Sequence, residues 1–192
     1  MASWKHFKDF LKKNSMAKLK PAVNDGDHMQ GNTAAPVQFV EYGDYQCPHC
    51  AAAFPMIKQI CKKFKDELLF VFRHFPLTEI HPMAQPAAMA AEAAGLQGRF
   101  WEMHDLIFEN QPALQPAFFL LLAEKLKLNL RNFQRDLQDS RLAEKVDAQF
   151  ESGVISGVNG TPSFFINGNK YEGDYNIQSL SRAIKSAITQ KA

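Results

Sequence analysis

Cysteine is scarce in this chain, with three residues among 192. That scarcity excludes a scaffold stapled by disulfides and a closed zinc site built from four cysteines. Histidine does not fill the gap. The six histidines (His6, His28, His49, His74, His81 and His104) are scattered without metal-ligand spacing, so no metal site is expected. An excess of charge of one sign is missing too. The 22 Lys and Arg against 20 Asp and Glu leave a formal net charge of +2, which argues against a nucleic-acid or polyanion partner. The first thirty-five residues contain no apolar run of the about 7–15 residues that a secretory signal needs, and no segment reads as transmembrane. The expected location is therefore cytoplasmic. A chain stripped of an export signal would read the same way, and its home would then be periplasmic or secreted. Internal repeats and low-complexity blocks are absent.

What is present is enough for a proper core: 46% hydrophobic residues, 16 of them phenylalanine. Two of the three cysteines stand together in Cys47-Pro48-His49-Cys50. A pair at this spacing can close a small disulfide and reopen it, which makes it a two-electron redox centre. The apolar run Pro36–Tyr42 before it reads as a buried strand. The segment after it, with Ile57, Ile60, Cys61 and Phe64 on one stripe, reads as an amphipathic helix from Pro48 to Lys65 carrying Pro55 inside. Pro48 thus takes the first helical position and Cys47 the N-cap, where orphan N–H groups and the helix dipole favour a thiolate. His49 can add a donor or a positive charge. Cys47 is accordingly the nucleophile and Cys50, one turn further in, the resolving thiol. Cys61 falls on the apolar stripe and reads as an inert core thiol.

Leu68–Arg73 forms a second apolar run, and two hydrophobic strands joined by a helix should lie parallel. From about Pro82 to Ser152 strand propensity is almost absent. Helices are expected there at Ala84–Gly95, Gly98–Asn110, Pro116–Leu126 and Asn132–Gly153. Ser163–Ile166, then Asn167-Gly168, then Asn169–Gly173 is a hairpin signal, and Ile177–Lys191 closes the chain as a helix. The order is β-α-β, a helical insertion, then β-β-α, an α/β fold with a mixed sheet.

This order, with Cys-Pro-His-Cys at 47–50 and Gly157-Val158-Asn159-Gly160-Thr161-Pro162-Ser163-Phe164-Phe165-Ile166-Asn167-Gly168, resembles the DsbA-like thiol:disulfide oxidoreductases. Phe72–Leu77 and Gly98–Asp105 resemble the same family, and the likeness runs from about Asp27 to the C-terminus. It implies a thioredoxin fold at residues 36–80 and 154–192 with a helical domain inserted at 81–153; the basic amphipathic segment and linker at 1–35, read from composition, lie largely outside the likeness. It also implies a cis Thr161–Pro162 bond beside the cysteines, with the Thr161 backbone free to pair with an extended substrate peptide. The plainer reading is a trans proline opening a strand. In such families a buried acid moves protons for the resolving thiol, and Glu41 stands in that place; the plainer reading is a strand-end carboxylate reaching water.

The activity implied is exchange of disulfides with protein or peptide thiols through a Cys47–Cys50 disulfide, without metal or organic cofactor. A separate redox partner, not identifiable from the sequence, would regenerate it. His49 favours the oxidising direction, and a cytoplasmic home the reducing one. A glutathione-dependent isomerase or transferase on the same scaffold is the alternative, and a non-enzymatic metal-binding or redox-sensing CxxC module is the other. Trp4, Phe7, Phe10 and Leu11 recur at helical spacing among lysines. Trp4–Lys13 therefore reads as a surface-docking helix or, preferably, as a short helix on its own domain. His74 and His81 are expected in solvent or on local backbone, and the aromatic stripe at Phe100–Phe108 in the core.

Overall fold

A computed structural model describes residues 17–190. The amphipathic segment Trp4–Lys13 lies outside the described residues. Five strands form one sheet in the order β1-β3-β2-β4-β5: β1 His28–Gly31, β2 Val37–Gly43, β3 Leu68–His74, β4 Ser163–Ile166 and β5 Asn169–Lys170. β2 and β3 pair in parallel, from Val37 opposite Leu68 to Gly43 opposite His74, and the other three pairings are antiparallel. The helix between them, α1, spans Pro48–Lys63. The β4–β5 turn is Asn167-Gly168, both with positive φ (47° and 75°), the geometry for which this dipeptide is suited.

The helical region holds α2 Ala84–Gly95, α3 Phe100–Glu109, α4 Pro116–Lys125, α5 Leu130–Asp136 and α6 Ser140–Ile155, and α7 Ile177–Thr189 follows the hairpin. The long helix expected from Asn132 to Gly153 is two. Asp139 starts α6 by accepting from the Arg141 N–H, so the chain turns between Asp136 and Ser140.

Alternation along β2 and β3 divides the core. Val37, Phe39, Leu68, Phe70 and Phe72 face α1 and the helical region, whereas Val40, Tyr42, Leu69 and Val71 face the opposite side with Phe165 and Leu19. Both faces are therefore covered. That is why β2 and β3 read as continuous hydrophobic runs.

Residues 17–35 are not the polar linker that their composition suggests. Lys18 bridges Asn169 beside β5, and His28–Gly31 pairs with β3 at the far edge of the sheet. The segment is fastened by Arg73, buried on β3. Its guanidinium donates to Asp27 through Nε (2.7 Å) and Nη2 (2.8 Å), to the carbonyls of Pro21 (3.0 Å) and Ala22 (3.2 Å), and to the Tyr42 hydroxyl (2.9 Å). The Asp27 side chain is 4% exposed, so both charges are out of water. Removing one partner of such a pair strands the other charge. Asp27→Ala is expected to lower stability by about 3–5 kcal/mol, read as a shift in the urea midpoint. A loss below about 1 kcal/mol would mean that the clamp contributes no more than a surface pair.

Candidate active site

β2 ends at Gly43, and four residues later the chain enters α1. Cys47 is the N-cap, with extended φ and ψ of −68° and 122°, and Pro48 occupies the first turn. β4 begins directly after Pro162, and its pairing with β2, Tyr42 opposite Ser163, sets the preceding loop beside the cap. The Thr161–Pro162 bond is cis. Cys47 Sγ lies 3.4 Å from the Thr161 carbonyl, to which the thiol donates.

The two sulfurs have opposite surroundings. The Cys47 thiol is held down at about 5, first by the Cys50 thiol donating to it. Burial opposes that, and donation from Thr161 and from the backbone N–H groups of Cys50 and His49 adds to it. The Thr161 hydroxyl is buried without a partner while Cys47 is a thiol, and it is the group placed to donate to the thiolate. Cys50 is fully buried, and its thiol is pushed far up by burial, by its bond to Cys47 and by the Glu41 charge. Both cysteines are free here, so the site is in its dithiol form.

The structure brings Cys47, Cys50, Thr161 and Pro162 together. His49 is exposed, and its backbone N–H bears on Cys47. Pro48 is exposed beside it. His49, Ala52, Ala53, Met56, Thr161, Pro162 and Tyr175 line an open cavity of about 320 Å³ next to the sulfur. Glu41 does not reach water at a strand end. It is 3% exposed, opposite Phe72 and Phe164 on the strands to either side, and so on the face that α1 covers. Burial first, and then the Cys47 charge, raise its carboxyl to about 8. Cys61 is half-buried, and burial raises its thiol to about 12.

His74 and His81 are in neither solvent nor local turns. His74 Nε2 and His28 Nε2 both meet Glu92 Oε1 (3.0 and 2.8 Å), and Lys145 meets Oε2 (2.9 Å), which ties β1, β3, α2 and α6 at one buried carboxylate. His81 Nδ1 donates to Asp44 (2.7 Å). Gln111, in a short 3₁₀ turn after α3, donates to the carbonyls of Tyr45 (2.8 Å) and Cys47 (2.9 Å). Sequence reasoning missed Asp44, Gln111 and Glu92. Only Asp44 left a signal, as an Asp three residues ahead of a helix cap in a short loop.

Comparison with known proteins bears on the family and the fold. A family model described as Thioredoxin matches residues 23–186. Oxidised BdbD of Bacillus subtilis superposes with a TM-score of 0.80 at 22% identity, covering 91% of this chain and 98% of that one. For α-DsbA1 of Wolbachia pipientis the values are 0.79 at 20%, covering 88% and 94%. At these identities the likeness is one of fold. Among curated proteins, the Na(+)/H(+) antiporter NhaA 1 of Salinispora arenicola is 47% identical over 170 residues, which are 88% of this chain and 26% of that protein. The NhaA 1 of Mycolicibacterium vanbaalenii is 38% identical over 28% of its length. The chain thus spans about a quarter of the curated relatives it matches.

Because the Cys47 thiol falls from 9.0 to about 5, its contribution to folding of the reduced form is complete above about 9 and is lost as pH drops through 5. The reduced protein is expected to gain stability over the oxidised one across that window, and iodoacetamide should alkylate Cys47 alone with a midpoint near pH 5. Equal labelling of Cys50, or a midpoint near 9, would contradict the asymmetry.

Proposed function

The chain belongs to the thioredoxin family, and from that premise we propose that it is a DsbA-like thiol:disulfide oxidoreductase acting on protein or peptide thiols. The observation that carries the reading is the placement of Cys47 at the cap of α1 beside the Thr161 carbonyl and the cis Pro162, with Cys50 fully buried one turn deeper. In the oxidising direction a substrate thiolate attacks Cys47 Sγ of the closed disulfide. The Cys47–Cys50 bond breaks, its electron pair passes to the Cys50 sulfur, and a proton follows. Glu41 is the donor for that proton, since burial keeps its carboxyl protonated up to about pH 8. A second substrate thiolate then attacks the substrate sulfur of the mixed disulfide and expels Cys47 as a thiolate. The substrate leaves with a disulfide, and the enzyme has gained two electrons, which a separate oxidant must remove.

A stabilised leaving thiolate favours this direction, because it is the reduced enzyme that the site stabilises. The backbone of Thr161 aligns an extended substrate strand, and the cavity beside His49 and Tyr175 receives a neighbouring apolar side chain. No cofactor beyond the disulfide enters the scheme. Among the described residues no helix is long and apolar enough to cross a membrane, and no step of ion transport is assigned to the 170 residues shared with the antiporters.

Insulin reduction and oxidation of a reduced dithiol peptide test the reading. Cys47→Ser should abolish both, and Cys50→Ser should accumulate mixed disulfide. Equal turnover by wild type and Cys47→Ser would end the proposal. Equilibration with glutathione buffers gives the direction: about −120 to −180 mV is expected, and about −270 mV would make the chain a reductant.

A further inference from the structure

Resting on the disulfide-exchange reading, we infer that Asp44 is the positioning residue of the redox loop, holding Cys47 in its thiolate-stabilising place through the backbone rather than by its charge. Asp44 follows β2, and its side chain is fully buried. Both carboxylate oxygens are occupied twice. Oδ1 accepts from the N–H groups of Gln46 (2.7 Å) and Cys47 (3.2 Å). Oδ2 accepts from the Leu77 N–H (2.9 Å) and from His81 Nδ1 (2.7 Å). The backbone of the same residue reaches the cysteines as well. Its carbonyl accepts from the Cys47 N–H (3.2 Å), and its N–H donates to Cys50 Sγ (3.5 Å).

This arrangement does something that a simple helix cap does not. One oxygen fixes Gln46 and Cys47 itself. The other anchors to the loop after β3, which begins the connection to α2. The groups that bear most strongly on the Cys47 thiol are Cys50, Thr161 and the N–H groups of His49 and Cys50. Each acts at short range, so its effect depends on where the Cys47 Cα stands. The Asp44 carboxylate touches no sulfur, and its effect is exerted through that placement. Asparagine is a poor substitute because only one of its two terminal atoms accepts. If its oxygen serves the loop, its amide confronts the Leu77 and His81 donors.

The test reads the Cys47 thiolate by the pH dependence of iodoacetamide alkylation, which needs no substrate. Asp44→Ala should raise the midpoint by about one pH unit, a tenfold loss of thiolate stabilisation. Asp44→Asn should raise it by less. His81→Leu should raise it too, whereas His81→Gln, which keeps a donor for Oδ2, should restore the wild-type value. A midpoint unchanged in Asp44→Ala, or lowered in Asp44→Asn as removal of a nearby negative charge would do, overturns the inference. Where Asp44→Ala does not fold, unchanged midpoints in both Asp44→Asn and His81→Leu overturn it equally. A wild-type chain that failed to exchange disulfides would overturn the exchange reading, and the order of midpoints would still decide for or against Asp44.

Discussion

Thr161 and Cys47 stand 114 residues apart in the chain, and one antiparallel register brings them into contact. Tyr42 is opposite Ser163, so the residue before β4 comes to lie beside the loop that leaves β2. A slip of one residue would exchange the two faces of β2. Glu41 would move from the face of α1 to the face of Leu19 and Phe165, away from the thiols whose charges it shares. The register is protected by burial on both sides. Phe39 packs on Phe70 and Phe164 under α1, and Tyr42 on Phe165 and Phe75 behind, so neither face can be traded for the other without exposing aromatic surface.

On that frame, three ionisable groups share one small volume with their proton affinities pulled apart. Cys47 has donors and gives up its proton easily. Cys50, one helical turn deeper, has apolar neighbours and a negative carboxylate nearby, and holds its proton firmly. Glu41 lies between these extremes. The two sulfurs are chemically alike, so the asymmetry comes from their surroundings: donors at Cys47, burial and the Glu41 charge at Cys50. In the exchange proposed above it sets a fixed order, with the shallow sulfur meeting substrate and the deep one only its partner.

How much of this could be read from the chain depended on whether the signal was local. The βαβ unit, the Asn167-Gly168 turn and the cysteine pair are each written within a few consecutive residues, and each was legible. β1 was not. His28-Met29-Gln30-Gly31 lies at a half-exposed edge between polar residues and carries no alternation to detect. Arg73 looked like the polar end of an apolar run, because its partner Asp27 is 46 residues earlier. His74 and His28 were unremarkable for the same reason: Glu92, which holds them both, sits in an alanine-rich helix whose periodicity predicts only that it is helical. Buried charges paired over long separations leave no pattern in sequence, and one such cluster, at Glu92, ties α2 and α6 to β1 and β3.

That fastening reaches the redox loop itself. Residues 44–47 form a tight connection whose backbone groups cannot all be satisfied within a single turn. The N–H groups of Gln46 and Cys47 are taken by Asp44, which is anchored in the loop before α2, and the carbonyls of Tyr45 and Cys47 are taken by Gln111, beyond α3. Donors and acceptors of the loop are therefore matched from opposite sides by two elements that the sheet alone would not supply. A sheet with α1 and α7 would place the cysteines but leave this backbone to water, whose hydrogen bonds fluctuate. The helical insertion replaces that water with fixed partners. Such preorganisation is what allows a small set of N–H groups and one hydroxyl to stabilise a thiolate without rearranging as charge develops.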